Sequence, residues 1–283
     1  MTDAKRARLM PRRPVDKLIL LVTIAFAIVW LIPMLWVLVM SFKPNEELMR
    51  STAGLLPYPF TLENFINVIK IATVPRWLLN SAIVSTTMTA LVLMISSMAG
   101  YAFARLDFPF KPVLFVLVIA GLMVPEQVIF IPLHTMFADW GMHNSYTALV
   151  TPRLAAPIGV FLMTQFFRAV PKELEEAARL DYAGHFTIFT KIMLPLSLPA
   201  LTTLGLFTFL HAWNDYLWPL VSATNKDMYT VTVGLASIQS NFAQSEGIGT
   251  LMASAVFASA PIVLLFVIFQ RYIVAGVAMS AGK

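Results

Sequence analysis

Glu175-Glu176-Ala177-Ala178-Arg179-Leu180-Asp181, followed shortly by Ile192-Met193-Leu194-Pro195, is a charged island between two apolar stretches, each long enough to cross a membrane. Val170-Pro171 ahead of it predicts a helix start, because proline suits the first helical position, and Glu173, Glu175 and Glu176 favour the positive end of a helix. Glu175 and Arg179 stand four apart, the spacing of a helical ion pair. Leu174, Ala177, Ala178 and Asp181 recur at spacings of three and four, which gathers small residues on one face. Two readings fit this pattern: a solvated loop helix, or a smooth face that another protein can approach closely. Pro195 and Pro199 bracket the return of the chain to apolar sequence.

Outward from the island, the composition is that of a polytopic membrane protein. Hydrophobic residues make up 58% of the 283 residues and charged residues 12%, with a mean hydropathy of +0.76; soluble domains carry about 25% charged residues. A span needs roughly 20 apolar residues. Six candidates follow: Leu18 to Met40, Asn80 to Phe103, Pro112 to Leu133, Tyr146 to Phe166, Leu198 to Ser222 and Thr250 to Phe269. The first has a basic region ahead of it, but its apolar core is too long for a signal peptide and no small-x-small cleavage pattern follows, so it reads as a retained helix. The organisation expected is a tail over residues 1–17 and a membrane domain over 18–283, with the charged loop at about 170–197. There is no cysteine, which excludes disulfides and cysteine-based metal or redox sites.

The formal net charge of +5 reflects topology and predicts no nucleic-acid partner. With the N-terminus inside, fourteen Lys and Arg residues fall on the cytoplasmic side and five on the other, with Arg153 set apart near a span. That bias orients the chain with both termini and the charged island in the cytoplasm and membrane lipid as its surroundings.

A search for chemistry is mostly negative. The nearest approach to a nucleotide-binding loop, Gly276 to Gly282-Lys283, has one residue too many for Gly-x-x-x-x-Gly-Lys-Ser/Thr. His134, His143, His211 and His185 are scattered, no His-Glu-x-x-His run exists, and no metal site is expected. Polar residues within apolar runs are costly in hydrocarbon and usually face a cavity or another helix. His211 and Asp215 share a face of the fifth span, with Asn214 adjacent, and either line a solute path or exchange hydrogen bonds between helices. Glu126 follows Pro125, where proline is placed to break the third span and leave the carboxylate facing water. Trp213 and Trp218 suit either stacking on sugar rings or the membrane interface, and the interface is the better expectation. The sixteen methionines read as adaptable packing. Outside the spans, Thr61 is placed to cap a short helix in the segment Ser41 to Leu79. That segment, and the shorter one from Ala223 to Gly249, is either a receiving surface for a soluble protein or a lid.

Glu176-Ala177-Ala178 with Ile192, Leu194 and Pro195 downstream resembles the EAA loop of permease subunits of binding-protein-dependent ABC importers. The likeness continues through Tyr101-Ala102-Phe103-Ala104-Arg105, Met123-Val124-Pro125, Trp213-Asn214-Asp215-Tyr216-Leu217-Trp218-Pro219-Leu220 and Gln270-Arg271-Tyr272-Ile273-Val274-Ala275-Gly276, and is greatest to the MalG-like half of sugar importers. The resemblance implies an all-α membrane protein of the type I ABC importer permease fold, with six transmembrane helices and no enzymatic activity of its own. It implies a MalF-like second permease subunit, two ATPase subunits that bind ATP and Mg, and an extracytoplasmic sugar-binding protein. It also implies that Glu175, Glu176, Ala177, Ala178, Asp181, Tyr182 and Gly184 dock on the ATPase, and that a di- or oligosaccharide is translocated by alternating access.

One position departs from the family pattern. Where Asp-Gly-Ala is usual, this chain reads Asp181-Tyr182-Ala183-Gly184. Tyrosine does not readily take the positive φ that such a bend favours, which leaves Gly184 as the candidate to carry it. Two competing classes follow from the residues alone: a secondary transporter or channel with Asp215 and Glu126 as its ion site, and an intramembrane enzyme built on His211 and Asp215.

Overall fold

The computed structural model describes residues 14–50, 56, 58–70, 73–237 and 247–281. The basic residues Lys5 to Arg13 and the stretch Gln239 to Glu246 lie outside the described residues, as do the side chains beyond Gln270. Every element among the described residues is helical. Three helices are long and apolar enough to span a membrane, Pro14–Ser41, Thr73–Arg105 and Ile248–Gln270, and three bent pairs make up to six spans.

The bends have causes in the sequence. Lys111–Met123 and Glu126–Asp139 meet at 96°. Val124 there is extended, φ −87° and ψ 113°, because a residue before proline is pushed out of the helical region. Tyr146–Arg153 and Pro157–Ala169 meet at 50°, and His185–Leu196 and Leu198–Asn214 at 75°, each break again closed by a proline. The expected fifth span, Leu198 to Ser222, is not one helix. It stops at Asn214, passes through Asp215 in extended conformation (ψ 130°) and resumes over Leu217–Ser222. The Asp215 carbonyl, which no longer serves a continuous helix, accepts a 2.6 Å bond from Thr232 Oγ1.

Two compact units are distinguished by their internal contacts. In the unit formed from Ile71–Ile238 with the residues from Ala258 onward, the long helix Thr73–Arg105 is the centre, packed by Pro157–Ala169 and Leu198–Asn214. Small residues permit this closeness. A Cβ on Gly100 would lie 2.6 Å from Met163 Cβ, and one on Gly159 would lie 2.4 Å from Ser96 Oγ. A buried cluster of Tyr101, Met163, Phe167, Ile188, Phe189, Met193 and Leu204 seals one end of this contact.

The other unit, drawn from Met1–Lys70 and Gln239–Phe257, joins the first span to a short helix, Glu63–Lys70. Thr61 caps that helix as expected, accepting from the Glu63 amide at 3.1 Å. Asn64 is buried and donates to the carbonyls of Ser41 and Lys43 at 2.9 and 2.7 Å, while Asn45 accepts from the Gly249 amide at 2.8 Å. Phe42, Phe60, Phe65 and Phe257 pack ring on ring. The described part of the outer segment is thus fastened within its own unit. In the first span, by contrast, only Met40 and Ser41 are buried, which leaves a helix apolar all round for lipid or another subunit.

Candidate functional site: a clamped loop and an arginine-centred cavity

The charged island folds as a helix over Glu173–Leu180, two residues after the proline expected to open it. Within it, Glu175 does not pair with Arg179 as the helical spacing predicts. Glu175 meets Arg105, the last residue of the helix Thr73–Arg105, with Oε1 2.7 Å from Nε, and the two side chains are only 8% and 5% exposed. Arg105 also donates to the carbonyl of Val170. A carboxylate leaving water gains more from a buried guanidinium than from solvated Arg179, so the distant partner wins over the local one. Of the residues expected to dock, Glu175 is therefore an anchor. Ala178 is half-buried against the Tyr101–Met163–Phe167 cluster. Glu176, Ala177, Asp181, Tyr182 and Gly184 are exposed.

The bend that closes this helix is carried by Tyr182, not Gly184. Tyr182 has φ +58°, whereas Gly184 is extended (φ −73°, ψ 163°) and begins the helix His185–Ile188. The Tyr182 amide donates to Arg179 O and the Ala183 amide to Ala178 O, each at 3.0 Å. That pair of bonds is a Schellman cap with Tyr182 at the left-handed position that glycine usually holds, and Ala178 and Ala183 on either side of the turn both pack on the Tyr101–Met163–Phe167 cluster. The left-handed backbone costs a non-glycine residue about 1 kcal/mol. Beyond the bend, Phe189–Met193 forms a π-helical turn with Phe189 and Met193 buried.

The second site lies where the broken helices meet. Arg153, at the break of the fourth span, places Nη2 3.1 Å from Glu126 Oε2 and Nη1 2.8 Å from Asp215 Oδ2. Nη1 is also 3.4 Å from His211 Nδ1, which accepts when the ring proton is on Nε2. Glu126 follows the break of the third span, and Asp215 sits at the break after Leu198–Asn214, so one guanidinium ties three discontinuities together. The cluster is partly open: the side chains of Arg153, Glu126 and Asp215 are 19%, 58% and 10% exposed. Glu126, Arg153, His211 and Asn214 line a cavity of about 810 Å³ whose other walls are largely apolar, among them Met88, Leu204 and Phe207. Such dimensions and such a lining suit a small-molecule site.

Sequence reasoning brought Glu126, His211, Asn214 and Asp215 to notice and missed their hub. The signal was present, because an arginine within an apolar stretch needs counter-charges, and Glu126 and Asp215 are the carboxylates in comparable positions. Trp213 is packed into the bundle, its indole N–H donating to Ala258 O at 3.0 Å and its ring stacked on Phe209. Trp218 is buried with its N–H donating to Ala148 O at 2.8 Å, though its ring borders the cavity. Both indole N–H groups are thus satisfied by carbonyls within the bundle. The histidines are not all scattered either: the rings of His134 and His143 lie 4.7 Å apart. Among the described residues, no group of three or more His, Cys, Asp or Glu could hold a metal ion.

Comparison with known proteins agrees with this architecture. Residues 93–279 match the family model described as binding-protein-dependent transport system inner membrane component. The chain is 39% identical over 280 residues, 97% of its length and 100% of the relative's, to the arabinooligosaccharides transport system permease protein AraQ of Halalkalibacterium halodurans. It is 34% identical over 278 residues, 96% of its length and 99% of the relative's, to the trehalose/maltose transport system permease protein MalG of Thermococcus litoralis. In fold it is similar to the crystal structure of a bacterial ABC transporter involved in the import of the acidic polysaccharide alginate, with a TM-score of 0.82 at 19% identity, over 93% of this chain and 99% of that one. Six potential spans, three of them broken at prolines, and a matched region that takes in both the clamped loop and the arginine hub thus go with near-full-length relatives, and the chain belongs to the inner-membrane components of binding-protein-dependent transport systems, as a multi-pass permease subunit of an ABC importer.

Proposed function

We propose that this subunit is the MalG-like half of an importer for di- or oligosaccharides, paired with a MalF-like permease and seated on two ATPase subunits that bind ATP and Mg. Sugar arrives from an extracytoplasmic binding protein. Both termini and the loop at about 170–197 face the cytoplasm, residues 1–17 form a tail, and residues 18–283 form the permease domain. The cargo class rests on relatives described as transporting arabino-oligosaccharides or trehalose and maltose. A cavity of about 810 Å³ with a few convergent polar groups is consistent with it. Glu176, Ala177, Asp181, Tyr182 and Gly184 form the exposed docking face, with Ala178 supporting it from the bundle side and Glu175 anchoring it. His211, Asn214, Glu126 and Asp215 with Arg153 form a polar station on the sugar path.

The observation that carries the mechanism is the sealed Arg105–Glu175 pair. A helix pushed by a neighbouring subunit transmits that push only if it is fixed to the span it must move, and this pair fixes Glu173–Leu180 to the end of Thr73–Arg105. Closure of the ATPase dimer would then bias the bundle between two discrete arrangements. An ion-coupled transporter would instead need Asp215 or Glu126 to bind the ion, and Arg153 engages both carboxylates.

The test is Ala177→Trp in the assembled transporter, reconstituted with its binding protein and loaded with labelled maltose, trehalose and arabino-oligosaccharides in turn. The wild type should take up one of these with ATP hydrolysis, and the variant should lose stimulation of hydrolysis by the loaded binding protein. Normal uptake by an assembled Ala177→Trp complex would contradict the docking role.

A further inference from the structure

Tyr182 presents a combination that folding alone does not explain. It holds a left-handed backbone, φ +58°, which glycine or asparagine adopts with less strain. Yet its side chain is 98% exposed, so the ring returns no packing within this chain to offset the strain. Leu180 just before it is 82% exposed and Phe186 just after it 76%. Three large apolar side chains thus stand out within seven residues on the loop between the fourth and fifth spans. Strain that persists at an exposed position points to a role in binding, and a cluster of aromatic and leucine side chains is the composition of an interface core.

We propose that Tyr182 is an aromatic pin that inserts into an apolar pocket of the ATPase subunit and sets which ATPase this permease accepts; this rests on the docking role of the loop given above. The left-handed cap supplies the geometry. It turns the chain sharply after Leu180 and projects the ring away from the bundle, while the two cap bonds from Tyr182 and Ala183 hold its base rigid. A rigid aromatic loses little entropy on insertion. The exposed charges along the loop are mixed, Glu173, Glu176 and Asp181 with Arg168, Lys172, Arg179 and Lys191, so the apolar side chains of Leu180, Tyr182 and Phe186, not a net charge, are what the loop offers a partner. The pocket is therefore expected to have an apolar floor. An ATPase that serves a permease with glycine at this position has no ring to accommodate, so the pin would also exclude it by leaving the ring without a pocket.

The experiment uses the tagged full-length chain, purified from its own membranes with its co-purifying ATPase and partner permease. Tyr182→Gly and Tyr182→Asn both keep the left-handed cap without the ring, Tyr182→Phe keeps the ring, and Ala177→Trp serves as the control for docking itself. ATPase retention is measured by titrating purified ATPase back onto stripped permease, alongside the Tm of the permease pair. Expected are a loss of ATPase affinity of at least about tenfold for the glycine and asparagine variants, a Tm unchanged or raised, and Tyr182→Phe within about twofold of wild type. If Ala177→Trp abolishes binding while Tyr182→Gly and Tyr182→Asn bind as wild type does, the pin is wrong and the docking face stands. If none of the variants changes ATPase affinity, both are wrong. Loss of vesicle association with ATPase affinity intact would also overturn the pin, in favour of a headgroup anchor.

Discussion

The loop and the cavity are both organised by an arginine held by carboxylate, and they differ in how much water reaches it. Arg105 and Glu175 are sealed, at 5% and 8% side-chain exposure. Arg153 shares itself between a nearly closed Asp215 and a Glu126 that is 58% exposed. Removing one member of a sealed pair strands a charge in low dielectric, whereas a half-open pair can exchange its partner for water or a polar ligand at small cost. The first arrangement suits a joint that must not slip. The second suits a contact that must open and re-form as solute passes.

Substitutions can break or sharpen this contrast. The largest effect is expected from Arg105→Ala, which leaves Glu175 buried and uncompensated and should destabilise the bundle by about 3–5 kcal/mol. The double variant Arg105→Met with Glu175→Leu should recover most of that in a thermal melt, because an apolar pair of similar volume refills the site. Equal destabilisation by the single and double variants would mean that the pair is not a unit. Arg153→Ala comes next, at roughly 1–3 kcal/mol for unpaired acceptors, with sugar uptake lost. Arg153→Lys should restore stability better than uptake, since an ammonium cannot present a planar fork to two carboxylates at once. Trp213→Phe removes one indole hydrogen bond to Ala258 and should lower stability by about 1 kcal/mol while uptake per assembled complex stays near wild type. Selective loss of uptake there would return Trp213 to the sugar path. The smallest effect is expected from Glu126→Gln, within about 1 kcal/mol because its pair is half-open, and seen mainly as altered uptake kinetics at low salt.

How far these features could be read from the sequence depended on the distance between the residues that make them. Thr61 capping its helix and Pro125 breaking the third span were legible because cause and effect are adjacent. The spans were legible from runs of about 20 apolar residues. The partner of Glu175 was not, since the helical spacing offers Arg179 and only the fold brings Arg105 beside it. Arg153 was passed over for the same reason: its carboxylates arrive from two other broken helices. Tyr182 was misjudged because local preference assigns the bend to the nearest glycine, while the cap bonds of Tyr182 and Ala183 fix it two residues earlier. The break at Asp215 carries no proline signal of its own, and hydropathy runs straight through it.

The absence of cysteine from the sequence makes the most direct test of the docking face clean. Ala177→Cys, labelled with a photoactivatable maleimide in native membranes, should yield on illumination an adduct with the ATPase subunit, and Leu21→Cys on the exposed first span should not. Adducts from Ala177→Cys confined to lipid or to the permease pair, in a complex that still carries its ATPase, would contradict the assignment of Glu176 to Gly184 as the surface that couples ATP hydrolysis to transport.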